Sequence, residues 1–427
     1  MDETTHPAPR LSGISGQQWR SGWAAWLGWF FDGLDMHIYT LIATPFVAEL
    51  MSQALTSTEV REKSALIQGA FLFGWAIGGG FFGVIGDRLG RSRALVLTIL
   101  TYACFTGLAF FAQTWWQLGL CRFLAALGVG GEWAVGAALL AETWPRTWRP
   151  WLAAVLQTAV NVGVMAATLA GWLLAAQPHR TLFLVGLLPA LCTLWIRRGV
   201  PETAEWQSAQ AQGAATGQRA RVRDLFAPGV ARVTLVSMGV CAGGLTAHWA
   251  FMFWHLQHVR GLPAMLALDD AARTRMASSV LLLVMVTSVL GNFVFAALAR
   301  RIGYRRAIIA GFVTYGAIMA CCYGFERTLD QMWPFLAGVG LCQGVFALFT
   351  MYMPSLFPTL LRTTGAGFCY NIGRIAAAAG TVVAGVYAPV QDVRWALFAA
   401  ALLFLPAAVL AMFLPRERGE EVLEPRP

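Results

Sequence analysis

Charge is scarce in this chain. Only 12% of its 427 residues are Asp, Glu, Lys or Arg, and lysine occurs once, at Lys63. A soluble domain carries about twice that charged share. The polar side chains are therefore too few to cover a globular exterior, and a large soluble protein is excluded. Long polar runs are also missing: only the N-terminus, a link near 198–230 and the last dozen residues stay polar for long. A membrane sensor, which keeps a long cytoplasmic domain, is disfavoured by that shortage. No Cys-x-x-Cys or His-Glu-x-x-His occurs, so the eight cysteines read as small buried hydrophobes and no metal site is expected. No clustered nucleophile or nucleotide loop stands near a membrane surface, which disfavours a multi-pass enzyme and leaves no cofactor implied. Gly78-Gly79-Gly80-Phe81-Phe82-Gly83 fits G-x-G-x-x-G, but it lies in an apolar span with no strand before it. Met1 to Gly16 lacks a basic-then-apolar signal, so the first apolar span is expected to remain as helix one.

Apolar sequence is what the chain has in abundance. Hydrophobic residues make up 57%, and a bilayer core needs roughly 20 of them per helix. Twelve stretches reach that scale, the first near 22–48 and the last near 392–414. The order also repeats. Residues 86–94 read Gly-Asp-Arg-Leu-Gly-Arg-Ser-Arg-Ala, and 299–307 read Ala-Arg-Arg-Ile-Gly-Tyr-Arg-Arg-Ala, 213 positions later. The same offset carries Trp144-Pro145 onto Phe357-Pro358 and Arg149 onto Arg362. An internal repeat in a strongly apolar chain points to a transporter with its substrate site between the halves. If the N-terminus is inside, 21 of the 31 Lys and Arg residues fall in cytoplasmic segments. That asymmetry predicts both termini in the cytoplasm. The net charge of +9 then reflects topology and anionic headgroups, not nucleic acid.

Gly83-x-x-Gly86-Asp87-Arg88-x-Gly90-Arg91-x-Arg93 resembles the loop motif between helices two and three of the major facilitator superfamily. Arg122 followed by Gly128-x-Gly130 resembles its helix-four motif, and Val200-Pro201-Glu202-Thr203 resembles the end of helix six in sugar-porter-like members. The resemblance covers essentially the whole chain. It implies an all-α integral membrane fold of twelve transmembrane helices in two pseudo-symmetric six-helix bundles. The expected organisation is a tail (1–21), a first bundle (22–200), a link (201–230), a second bundle (231–414) and a tail (415–427). It also implies that Asp87, Arg88 and Arg91, with Glu142, Arg149 and Glu202, brace a cytoplasmic gate whose ion pairs break as the halves rock apart. The second copy departs from this, with Arg300 for the Asp and Tyr304 for the Arg.

Ionisable groups within apolar spans are costly, so each marks a candidate site. Asp32 and Asp35 share a helix face that Tyr39 continues. Two carboxylates so close in a low dielectric do not both stay ionised, so one is expected to hold a proton. The alternative is that one of them ties to a neighbouring helix. Phe31-Asp32-Gly33-Leu34-Asp35 resembles the Asp-Gly-x-Asp element of aromatic-acid/proton symporters. Arg374 lies near mid-depth, with Asn371 and Tyr370 on its face. A guanidinium grips a carboxylate with two hydrogen bonds, which suits an organic anion, although a bridge to Asp32, Asp35 or Glu132 also fits. Phe357-Pro358 through Arg374 resembles the sialate/lactate and aromatic-acid symporter groups, and Gly130-Gly131-Glu132-Trp133 resembles an element of lactate and sialate symporters. Glu132 is thus a third candidate proton carrier. Arg122 is either a structural partner or an anion attractor. Gln157 and Asn161 share a face of helix five and suit substrate polar groups. His248 and His255 share a face of helix seven, where histidine is suited to sensing pH. Trp133, Trp249 and Trp254 read equally as packing, interfacial belt or substrate stackers.

The expected function is proton-coupled uptake of a small organic anion, such as a mono-, aromatic or sugar carboxylate, by alternating access. The partners are that anion, the proton and the bilayer, the driving force is the proton gradient, and a monomer suffices. A bacterial inner membrane is the expected location. A sugar-like or neutral substrate, or an efflux antiporter, is the alternative. Helix five reads Ala159-Val160-Asn161-Val162-Gly163 where antiporters of this kind carry Gly-x-x-x-Gly-Pro.

Overall fold

The computed structural model describes residues 14–144, 149–202, 207, 222–357, 362–387 and 393–415. Every regular element among them is helical. The first half holds α1 (Gly16–Met51), α2 (Thr58–Leu89), α3 (Arg91–Leu108), α4 (Trp115–Thr143), α5 (Arg149–Leu173) and α6, which is broken into Leu182–Val185 and Leu188–Gly199. The second half holds α7 (Ala231–Gly261), α8 (Asp270–Ile302), α9 (Tyr304–Tyr323), α10 (Leu329–Gln343 and Val345–Ser355), α11 (Arg362–Tyr387) and α12 (Arg394–Leu402 and Phe404–Ala411). Among the described residues, α2, α3, α5, α7, α8, α9, α10 and α12 each contain a stretch long and apolar enough to cross a membrane. Large apolar side chains such as Phe111, Leu191 and Phe325 are about two-thirds exposed. That outer surface suits lipid and would be untenable in water.

Local chemistry fixes where the helices begin and turn. α1 starts six residues earlier than the apolar pattern predicts. Ser15 caps it: the Ser15 hydroxyl accepts from the Gln18 amide, and the Gln18 side chain accepts from the Ser15 amide. The two repeated boxes become two tight corners. Gly90 joins α2 to α3 at φ +103°, and Gly303 joins α8 to α9 at φ +83°. A side chain is strained in that left-handed region, so both copies keep glycine there. α2 lies close against α4, because a Cβ on Gly74 or Gly78 would come within 2.6 Å of the Phe123 or Leu127 carbonyl oxygen.

The halves meet where α2 packs on α11 and α5 on α8. On the side away from the two glycine corners, α1 and α7 also join. Thr44 donates to the Gln257 side chain (2.7 Å), whose amide nitrogen lies 3.3 Å from the Thr40 carbonyl. Arg260 Nη2 donates to the Leu41 carbonyl at 2.6 Å. That carbonyl is free because Pro45, inside α1, has no N–H to return to it. His179, before α6, stands between Glu49 (3.3 Å) and Asp270 of the second half (3.0 Å).

Candidate functional site

Between the halves lies a cavity walled by aromatic, sulfur and polar side chains. α1 contributes Trp29, Asp32, Met36 and His37; α2 contributes Trp75; α5 contributes Gln157 and Asn161. The second half contributes His248, Trp249 and Met252 from α7, Ser288 from α8, Gln343 and Phe346 from α10, and Tyr370 and Arg374 from α11. Such a wall, in which aromatic and aliphatic surface alternates with converging polar groups, suits a small-molecule site.

Arg374 is 3% exposed and lies about 18 Å along α11 from its start. Its Nη1 donates to Asn371 Oδ1 at 2.8 Å, one turn earlier. Its guanidinium lies over the Trp75 ring (4.1 Å) and the Tyr370 ring (4.6 Å). Two π faces hold the fork flat and help to stabilise its charge in a dry site. Tyr370 and Asn371 therefore position Arg374, and Tyr370 also reaches the cavity wall.

The two helix-one carboxylates have separate surroundings, although their spacing puts them on one face. Asp35 is fully buried and pairs with Arg122 of α4, whose Nη1 lies 3.1 and 3.3 Å from its two oxygens. Arg122 Nη2 also donates to the Asp35 backbone carbonyl (3.1 Å), and Thr106 of α3 donates its hydroxyl to the same carboxylate. Phe71 covers the guanidinium at 4.5 Å. Neither Asp35 nor Arg122 is in the cavity wall. Removing one partner of such a buried pair costs about 3–5 kcal/mol. Asp32, by contrast, reaches the cavity, and its carboxyl lies beside that of Glu132 from α4. Neither Glu132 oxygen has a donor with settled hydrogen-bond geometry, and Asp32 Oδ1 has none either. The Tyr102 hydroxyl of α3 lies next to Glu132. Arg122 is therefore the structural partner of Asp35, and Glu132 stands with Asp32.

Tyr39 lies outside the cavity wall; its hydroxyl donates to the Ser64 carbonyl of α2 (3.0 Å). Asn161 faces the cavity but is also a bridge between halves, with Nδ2 donating to Ser288 Oγ (2.8 Å) and Oδ1 accepting from Asn292 (3.0 Å). Gln157 is in the wall. His248 is in the wall with Nδ1 at 3.3 Å from the Tyr315 hydroxyl, whereas His255 is buried against Phe251, one turn earlier. Of the gate candidates, the side chains of Asp87, Arg88, Glu142 and Arg149 lie outside the described residues, as does that of Trp133. Arg91 begins α3 and is half-buried. Glu202 has a defined place: its oxygens accept from the Ser92 and Arg93 amides (3.2 and 3.1 Å), capping α3. Sequence reasoning missed His37, Trp75 and the polar residues Ser288 and Gln343. His37 carried the signal that marked the others, an ionisable group within an apolar span.

A polar cavity enclosed by two helical membrane bundles is the architecture of a carrier. The family model for sugar and other transporters matches residues 23–225, and the Major Facilitator Superfamily model matches residues 262–427. A probable 4-methylmuconolactone transporter of Cupriavidus pinatubonensis is 33% identical over 95% of this chain and 92% of its own length. The sialic acid transporter NanX of Escherichia coli is 28% identical, covering 87% of each chain. The cis,cis-muconate transport protein of Acinetobacter baylyi is also 28% identical, over 88% of this chain and 89% of its own. The xylose transporter XylE of E. coli, in a partially occluded inward-open conformation, superposes with a TM-score of 0.73 over 92% of this chain and 98% of its own, at 13% identity. The chain belongs to the major facilitator superfamily. It is a multi-pass membrane transporter with twelve helices in two bundles, and not an enzyme.

Proposed function

We propose that this transporter carries a small organic carboxylate together with a proton, by alternating access, into the cytoplasm across a bacterial inner membrane. The carrying observation is a pair of opposites in one cavity wall: the buried Arg374 guanidinium on α11, and Asp32 of α1, whose carboxyl is backed by that of the fully buried Glu132 of α4. When the site is empty, a carboxylate at this pair offsets Arg374. Protonating the pair removes that counter-charge and leaves the guanidinium to a substrate carboxylate. One proton and one anion together restore neutrality, so the two enter and leave as a unit. The names of the relatives, which include transporters of muconate and sialic acid, support an organic-acid substrate. Asp35, held by Arg122 and Thr106, is the second candidate for the coupling carboxylate. The termini and the Arg-rich corners are assigned to the cytoplasm, where Arg91 and Glu202 stand beside the proposed gate with Asp87, Arg88, Glu142 and Arg149.

The test is uptake of a labelled carboxylate panel into proteoliposomes with an imposed pH gradient, with and without sodium. Asp32→Asn and Glu132→Gln are expected to abolish accumulation while keeping exchange of substrate across the membrane. Arg374→Ala should lose about 2–5 kcal/mol of binding for an acid and much less for its amide. Arg374→Lys should fall between, since it keeps the charge without the planar fork. Accumulation that survives in both carboxyl variants and fails in Asp35→Asn would move coupling to the Arg122 pair. Equal losses for acid and amide would remove Arg374 from the anion's site.

A further inference from the structure

Resting on the carboxylate reading, we infer that His37 accepts a hydrogen bond from a hydroxyl or N–H group on the substrate, at the end away from its carboxylate. His37 is 3% exposed and forms part of the cavity wall, one residue beyond Met36 on α1. Its Nδ1 lies 3.2 Å from the Gly33 carbonyl oxygen of its own helix. A carbonyl only accepts, so Nδ1 carries the proton in this contact. In the neutral ring that leaves Nε2 as a bare lone pair. Nε2 is buried and has no hydrogen-bond partner. A buried acceptor left unmade is unfavourable, and native sites keep few of them without a reason. The cavity supplies one: the partner arrives with the ligand.

The neighbouring groups fix which end of the ligand this is. The His37 ring stacks near Trp249, with centroids 6.3 Å apart, and Trp249 in turn meets Trp75 edge-on at 5.3 Å. Trp75 lies under Arg374, and its own Nε1–H is buried in the wall without an acceptor. Donors thus gather at Arg374 and Trp75, and the acceptor stands at His37 with one indole between them. A ligand that satisfies both ends carries a carboxylate at one end and a donor at the other. A flat body suits the Trp249 face. Benzoates with a hydroxyl at the meta or para position match this pattern. An ortho hydroxyl does not, because it bonds to its own carboxylate.

The test measures binding of 2-, 3- and 4-hydroxybenzoate and their methyl ethers to the purified full-length protein, by direct titration. A methyl ether keeps the oxygen and loses the donor. A parallel series uses the corresponding primary amides. In the parent protein the 3- or 4-hydroxy acid should bind about tenfold more tightly than its ether, the size of one well-made hydrogen bond. His37→Phe should bring that ratio close to one while leaving ether binding within about twofold, which also reports that the variant is folded. His37→Gln, which restores an acceptor, should recover part of the ratio. An unchanged ratio in His37→Phe, or an equal loss for phenol and ether, overturns the role of His37. Amides that bind as well as acids overturn the carboxylate reading alone, since the phenol-to-ether ratio is still read in that series. A parent protein that binds no member of either series overturns both.

Discussion

At the scale of single residues, the carboxyl pair depends on an atom that is absent. A Cβ on Gly28 of α1 would come within 1.6 Å of Glu132 Oε1, so only glycine lets that carboxyl press against α1 beside Asp32. Exchanging glycine for alanine inside a helix ordinarily gains about 1 kcal/mol. Gly28→Ala should do the reverse, displacing Glu132, lowering the melting temperature of the purified protein and abolishing accumulation as Glu132→Gln does. A variant with a higher melting temperature and normal accumulation would show that Glu132 has room to spare and that the pair does not depend on glycine at position 28. Asp32, Glu132 and Arg374 were legible in the sequence because a charge in an apolar span is hard to explain otherwise. Their partners were not. Asp32 and Asp35 project onto one face of α1, yet α4 presents Arg122 to one and Glu132 to the other. Which group faces which is set by the approach of a second helix, and no periodicity within α1 encodes it. His37 is hard to single out for a similar reason: Tyr39 continues the Asp32–Asp35 face in projection, but α2 takes Tyr39 and the cavity takes His37.

At the scale of elements, the two copies of the basic box fold alike and are finished differently. Both turn at a glycine with positive φ, which the repeated Gly90 and Gly303 made legible. Only in the first copy does a carboxylate reach the corner among the described residues: Glu202, just beyond α6, accepts from two amides at the start of α3. The Ser92 hydroxyl donates to the Val200 carbonyl (2.8 Å) and fastens the same two segments. A carboxylate at a helix N-terminus complements the macrodipole and satisfies amides that have no partner within the helix, an effect of about 1 kcal/mol. Glu202→Ala should therefore lower the melting temperature by a few degrees and leave equilibrium substrate binding unchanged. A loss of affinity at normal stability would instead tie Glu202 to the cavity. The sequence offered Glu202 as part of a motif, and the motif's spelling does not say that its first contact is with α3.

At the scale of the whole molecule, the described polar contacts between halves fall in two zones: Asn161 with Ser288 and Asn292 beside the cavity, and, on the side away from the glycine corners, the α1–α7 contacts together with His179–Asp270. The second zone holds that side shut in this conformation. Gln257→Ala removes its hydrogen bonds to both Thr44 and Thr40. It should raise amide hydrogen exchange across residues 40–48 of α1 without changing exchange in α3. Unchanged exchange in that segment would mean that apolar packing alone keeps the side closed. The repeat announced two halves, but it gave no warning of this zone, because Arg260, and Gln257 in one of its two contacts, meet α1 through backbone carbonyls that carry no signature in a sequence.

Arg260 makes a contact whose inheritance is indirect. Its acceptor is the Leu41 carbonyl, an oxygen that every amino acid possesses, so exchanging Leu41 for another helix-compatible residue leaves the acceptor in place. The vacancy at that oxygen is made four residues away, by the ring of Pro45. Replacing Pro45 by alanine would return an N–H to the carbonyl, making α1 a better helix while giving Arg260 a competitor. The closed side is therefore passed on through position 45 and not through position 41. Drift that improves the helix at 45 would loosen the door, and a second change that restores closure would be sought on α7.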